Sequence, residues 1–366
     1  MLLIEQQSYP IENVPKYNFS DTFARGFGLP RELAQLCLSS LEELKRQQVK
    51  SNSIDENSEK SDIDSIAFLE SATSPKLIQV QPLREDTEVA AVDVSSINLG
   101  ETNNGVLVAI RGAIVWNVRF RFHYLRLGPF LFHLTEESGS RIFNLLRKYG
   151  FGFSQEISGT DVARIQTRIA SMFEHRIQMD LCRLSSNSLI LLDGSLVGGT
   201  PDAPEEIVAE LLRTARTRVN TILAFSKSSK LYFEGHHLGD IANRYSPPCL
   251  VKIGRGLQPC IGPFRLFGDI YVANLSKGGV SFRLDVDKEL EQSQAVDSVR
   301  RLLGNELVYQ GYPETLRLAH IYSTFTANEV IAMQRYMMQQ PGLQIVVRPN
   351  LRRLLFGPFG KGSEGY

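Results

Sequence analysis

No uninterrupted run of about eighteen apolar residues occurs anywhere in the chain, which leaves no candidate for a membrane span. Cysteine is scarce. Cys37, Cys182, Cys249 and Cys260 form no C-x-x-C pair, and the opening MLLIEQQSYP lacks the basic start and apolar core of an export signal, so a reducing cytoplasm is the expected setting. Neither charge is in excess, with 40 basic against 40 acidic residues, which excludes a wholly basic, histone-like binder but not a local basic groove. A G-x-x-x-x-G-K-[ST] phosphate loop is absent, and GRGLQPCIG lacks both dinucleotide-loop spacing and a following helix. Any ATP-driven step therefore belongs to a separate chain.

What the chain does contain is ordinary for a globular protein. Hydrophobic residues make up 43% and charged residues 22% of its 366 positions, enough for a sizeable core. That length admits one or two domains, and one is favoured. In the N-terminal segment 1–48, Leu33, Leu36, Leu41 and Leu44 recur at helical spacing and predict an amphipathic helix from Pro30 to about Gln48. Within 49–65, SNSIDENSEKSDIDS has almost nothing to bury and reads as a flexible polar loop.

The core begins near Glu88. EVAAVDVSS is a short apolar run with a polar end, and GVLVAIRGAIVWNVRFRFHYL supplies two further strands, with Asn103, Asn104 and Gly105 as the first turn. Helices are expected at about 140–149 and 159–184, then a strand in SLILLDGSL, a helix in PEEIVAELLRTARTR and a strand in TILAFSKSSK. CLVKIGRGLQPCIGPF and a hairpin around Lys277, Gly278 and Gly279 read as peripheral strands. GYPETLRLAHIYSTFTANEVIAMQRYMMQQ reads as closing helix, and LQIVVRPNLRRLLFGPFGKGSEGY as a strand followed by a basic, Gly-rich tail at 351–366. No internal repeat is evident. Strands alternating with helices argue for a mixed α/β layer fold.

Two aspartates stand at the polar ends of apolar runs, Asp93 in VAAVDVSS and Asp193 in LILLDGSL. Phosphodiester hydrolysis by two divalent ions about 4 Å apart needs several carboxylates together. Asp also caps turns and helices, so each position has a purely structural reading as well. Glu174, in IASMFEHRIQMDL, is a third candidate, with Glu136, Glu137, Asp161 and Asp180 as rivals. His320, closing GYPETLRLAH, has the side chain that most often ligates metals, although a lone helical His is commonly just packed. Lys227 repeats the strand-end pattern with positive charge suited to a phosphate, or is a surface lysine. His236, His237 and Asp240 imitate a metal cluster, but adjacent side chains diverge and a polar loop is the expected reading.

In order, AVDVSS, FEHRIQMDL, LILLDGSL, LAFSKSS and GYPETLRLAH resemble the successive motifs of the NurA nuclease family, over roughly residues 85–350. The resemblance implies a ribonuclease-H-like mixed sheet flanked by helices. It implies a metal-dependent exonuclease on single- and double-stranded DNA, possessing some single-strand endonuclease activity, that forms a homodimer and uses two Mn²⁺ or Mg²⁺ ions. It further implies Asp93, Glu174, Asp193 and His320 as metal ligands, Lys227 and Tyr312 as helpers at the phosphate, and a HerA-type hexameric DNA-translocating ATPase as partner in end resection and recombinational repair. One position departs: Val94 follows Asp93 where relatives carry Gly.

Arg141, Arg147, Lys148, Arg352 and Arg353 are candidates for sequence-tolerant phosphate contacts. Two other readings stay open. One is a DNA-binding or motor-docking subunit with weak chemistry, motivated by Val94. The other is a different ribonuclease-H-like enzyme, such as a junction resolvase or an RNA-cleaving nuclease.

Overall fold

The computed structural model describes residues 68–69, 75–102, 105–135, 162–200, 202–227, 232–233, 236–237, 241–253, 264–339 and 346. The expected helices at 30–48 and 140–149, the loop at 49–65 and the tail at 351–366 lie outside them. So do Glu136, Glu137, Asp161, Asp240 and all five candidate phosphate-contacting Arg and Lys residues.

The long strands are β1 (Lys76–Gln79), β2 (Val89–Thr102), β3 (Gly105–Val118), β4 (Arg121–Leu134), β5 (Leu189–Asp193), β6 (Thr221–Ser226), β7 (Cys249–Lys252), β8 (Gly268–Asn274) and β9 (Phe282–Asp287). The helices are α1 (Val162–Leu184), α2 (Glu205–Thr217), α3 (Gln292–Asn305), α4 (Glu314–Ser323) and α5 (Ala327–Met338). All nine strands join one sheet in the order β1-β7-β8-β9-β6-β5-β2-β3-β4. β2, β3 and β4 form an antiparallel meander, and β5 and β6 add in parallel beside β2, the ribonuclease-H-like strand order. Every residue of β6 is buried, so its outer edge needs a partner, and β9, antiparallel to it, provides one. The strands expected at the periphery therefore continue the central sheet.

Period-two alternation divides the core between two helical layers. Ala90, Val92, Ile190 and Leu192 face one way, against Ile169, Met172, Phe173 and Ile177 of α1 and Val208 and Leu211 of α2. Val89, Ala91, Leu189 and Leu191 face the other, against Val299 and Leu302 of α3 and Leu316 and Ala319 of α4. Each apolar side chain buried in these two interfaces favours folding by about 25 cal/mol per Å² of surface removed from water.

Three expectations change. β2 does not end after Asp93 but runs nine residues further, because β3 continues to pair with it as far as Thr102 opposite Gly105. The closing helix is two helices, since Ser323 ends α4 and Thr326 starts α5 with a reciprocal Thr326–Glu329 capping box. His236 and His237 lie in a two-residue strand against Tyr232 and Phe233 rather than in an open loop.

Candidate active site

Asp93 and Asp193 stand level on adjacent parallel strands. The β2–β5 register pairs Val89 with Leu189 through Ala91 with Leu191, so two residues further on the aspartates occupy equivalent heights. Both carboxylates fall on the face shared with α3 and α4. Beyond Asp193 the chain turns away through Gly194, whose φ of +133° is costly for any residue with a Cβ. That turn is clamped on three sides: Gly194 N donates to the Phe225 carbonyl at 2.8 Å, Ser226 Oγ donates to the Gly194 carbonyl at 2.7 Å, and Leu196 N donates to Asp285 Oδ2 at 2.9 Å. Asp285 is itself fully buried and paired with Arg283 at 2.7 Å.

Each aspartate has a basic partner. Lys227, one residue past β6, places Nζ 2.6 Å from Asp193 Oδ2. His320 Nδ1 lies 3.4 Å from Asp93 Oδ2, and Ser323 Oγ, one turn further along α4, donates to the same oxygen. Ser323 Oγ also lies 2.9 Å from Ser95 Oγ. Burial alone would raise the Asp93 carboxyl. The hydrogen bonds from His320 and Ser323, with the charges of His320 and Lys227, hold it below its ordinary value. Reciprocally, Asp93 raises the pKa of His320, so the imidazolium is favoured there.

Glu174 approaches from α1 on the opposite helical layer, past the end of β5. Its surroundings push its carboxyl up to about 8, first through desolvation and then through the negative charges of Asp93 and Asp193. Gln178 Nε2, one helical turn on, donates to Glu174 Oε1 at 3.0 Å. The site thus gathers three carboxylates against two basic partners, and Glu174 is the one held by a neutral amide. That donor chemistry fits divalent cations: hard oxygen ligands whose mutual repulsion a cation removes. As arranged, Asp193 is turned to Lys227 and Asp93 to Ser323 and His320, and no three His, Cys, Asp or Glu among the described residues converge on one coordination point.

Tyr312 closes the site from the α4 side. Gly311, at φ +87° with the Val280 carbonyl only 2.2 Å from where a Cβ would lie, lets the chain bend sharply before it. Its ring meets Phe225 edge-on at 6.2 Å and Phe282 at 5.2 Å, and Lys227 Nζ lies 5.3 Å from the ring centroid. The Tyr312 hydroxyl is buried without a hydrogen-bond partner among the described residues. Desolvation, followed by the charges of Asp193 and Asp93, keeps it protonated and able to donate.

Val94 takes its place in extended backbone, paired with Gly112 of β3, so no left-handed conformation is demanded there. Asp180, the remaining described rival, is paired with Arg176 at 3.0 Å and Arg183 at 3.4 Å on α1. Asp93, Glu174, Asp193, Lys227, Tyr312 and His320 are brought together. Ser323 and Gln178 join them unforeseen; each lies a single helical turn from a recognised candidate, His320 and Glu174, which is the signal that could have found them.

A partly buried ion-pair cluster fixes the end of α4. Arg111 of β3 contacts Glu329 at 3.0 Å and the Thr324 carbonyl at 3.3 Å, and Arg126 of β4 contacts Glu329 at 3.0 Å and the Tyr322 carbonyl at 3.1 Å. This cluster ties the α4–α5 junction, and with it Ser323, to the sheet.

The NurA domain family model matches residues 87–323. No curated protein matches. Among solved structures, the NurA nuclease from Sulfolobus solfataricus is 12% identical, with 88% of this chain and 99% of that chain covered and a TM-score of 0.44. A second NurA structure is 9% identical over 72% of this chain and 91% of that chain, with a TM-score of 0.38. The endonuclease V from Bacillus subtilis is 12% identical over 72% of this chain and 89% of that chain, with a TM-score of 0.33.

Proposed function

From the premise that the chain belongs to the NurA family, its domain spanning residues 87–323, we propose that it is a divalent-metal-dependent deoxyribonuclease. The observation that carries this reading is the placement of Asp93 and Asp193 level on adjacent strands, close enough for their negative charges to act on both Glu174 and Tyr312, with Lys227 beside them.

Asp93, Glu174 and Asp193 would hold the ions, with His320 completing the set. Two divalent ions such as Mn²⁺ or Mg²⁺ held there would supply charge neutralisation of the carboxylates and Lewis-acid activation of phosphate and water. The chain's own groups do the rest. Ser323 and His320 keep Asp93 ionised, and the clamped turn after Asp193 fixes its strand end. Lys227 offers an ammonium to a phosphate oxygen, and Tyr312 offers a hydroxyl with no competing partner. Charge is stabilised by groups positioned before the substrate arrives, which minimises reorganisation during the reaction.

DNA binding through phosphates would be sequence-tolerant and weakened by salt. In this reading the protein acts as a homodimer on DNA ends, as an exonuclease with a HerA-type translocase in resection and recombinational repair. No helix among the described residues is long and apolar enough to cross a membrane.

The test is cleavage of end-labelled single- and double-stranded DNA with Mn²⁺, Mg²⁺ or EDTA, beside Asp93→Ala and Asp193→Ala. Metal-dependent cutting lost in both variants is expected. Wild-type rates in Asp193→Ala would remove the assignment, and equal cutting of RNA would redirect it to a different substrate.

A further inference from the structure

Glu174 is the carboxylate with most reason to leave the site. It is borne on a flexible side chain, it keeps some contact with solvent, and the charges that act on it, those of Asp93 and Asp193, are anionic. Unless held, a side chain so placed relieves the repulsion by turning outward into water. The hold is Gln178, only 4% exposed, which donates from Nε2 to Glu174 Oε1 at 3.0 Å. A glutamine amide can itself turn over, but its other end is also engaged. When both ring nitrogens of His175 carry hydrogen, Nδ1 donates to Gln178 Oε1 at 3.2 Å and Nε2 donates to the carbonyl oxygen of Asp202 at 2.9 Å. Asp202 belongs to the segment that leaves the sheet at Asp193 and leads into α2. The three-residue relay therefore ties the helix-borne carboxylate to the backbone that follows the strand-borne one.

We propose that Gln178, oriented by His175, is a positioning residue that keeps Glu174 turned toward Asp93 and Asp193 and thereby sets the site's affinity for divalent ions. The inference rests on the metal-dependent reading above. Gln178 acts through Glu174, so its loss lowers ion affinity while leaving the chemistry of the loaded site intact. Groups of this kind around metal ligands typically carry a factor of about 10 to 100 in affinity or activity.

The experiment titrates the full-length protein with Mn²⁺ alone by isothermal calorimetry, and separately follows DNA cleavage as a function of Mn²⁺ concentration, for wild type, Gln178→Met and His175→Ala. Methionine keeps the length of the buried side chain and removes both hydrogen-bonding ends. Expected are Mn²⁺ affinity about 10-fold weaker in Gln178→Met, a matching rise in the Mn²⁺ concentration for half-maximal cleavage, and turnover restored at saturating Mn²⁺. His175→Ala should move the same two quantities in the same direction by a smaller factor, and it carries the test should Gln178→Met fail to fold. Equal Mn²⁺ affinity in wild type and variants overturns the inference, whatever happens to turnover. A wild-type protein that neither binds Mn²⁺ nor cuts DNA overturns the functional reading instead, and this inference with it.

Discussion

Glu174→Gln should make the protein more stable while abolishing its cleavage activity. The Glu174 carboxyl titrates at about 8 in the folded protein, against an ordinary value of 4.5. Below 4.5 the group is protonated whether the chain is folded or not, and it costs nothing. As pH rises from 4.5 the unfolded chain ionises freely, whereas the folded chain resists until about 8, so stability falls across that window. The full gap corresponds to about 5 kcal/mol at pH 8 for a fully buried group, and the remaining solvent contact reduces this to about 2–3 kcal/mol. Glutamine keeps the bond from Gln178 and never ionises. Urea denaturation in EDTA, followed by fluorescence of Trp116, the single buried tryptophan, should show the variant about 2–3 kcal/mol more stable at pH 8 and within about 1 kcal/mol of wild type at pH 5. Adding Mn²⁺ at pH 8 should stabilise the wild type and narrow the difference. A variant less stable by the same amount at both pH values would refute the reasoning, because the carboxylate would then be a structural contact rather than a repelled charge.

Tyr312→Phe removes a buried hydroxyl without a partner, so stability should rise by up to about 1 kcal/mol while kcat falls at least about 10-fold; unchanged cleavage would show that Tyr312 only packs. Val94→Gly should leave cleavage at the wild-type rate and cost about 1 kcal/mol of stability on denaturant unfolding, since position 94 is ordinary extended strand; faster cutting would mean that valine impairs the site after all. Glu329→Ala should cost about 2–3 kcal/mol, because it leaves Arg111 buried and unpaired and Glu329 is itself partly exposed. Hydrogen exchange should then rise first at the α4–α5 junction, and uniform exchange with unchanged stability would show that the cluster does not anchor it.

The apolar runs in VAAVD, LILLD and TILAFS were readable as strands because four apolar residues in a row between polar ones read as a short buried element, and the polar end of each run pointed to the site. The true length of β2 was hidden. SSINLGET carries no strong pattern by itself and is extended only because β3 pairs with it along its whole length. The break between α4 and α5 was legible in Thr326-Ala-Asn-Glu329, a capping signal within an otherwise continuous helical stretch. For Gln178 and Ser323 the one-turn spacing from Glu174 and His320 was visible, but which turn neighbours take part depends on the helix face that meets the carboxylates, and that is decided by packing on two different layers. Val94 shows the reverse case: a departure that looked consequential in the sequence has an ordinary place once its partner is Gly112.

The groups of the site come from β2, α1, β5, the end of β6 and α4, so the outermost of them, Asp93 and Ser323, are 230 positions apart in the chain. Contacts of such long range form late, after the loops between them have closed. During synthesis the three carboxylates leave the ribosome well before Tyr312, His320 and Ser323 exist. A prematurely terminated product therefore carries the three carboxylates without the helix whose His320 and Ser323 hold Asp93.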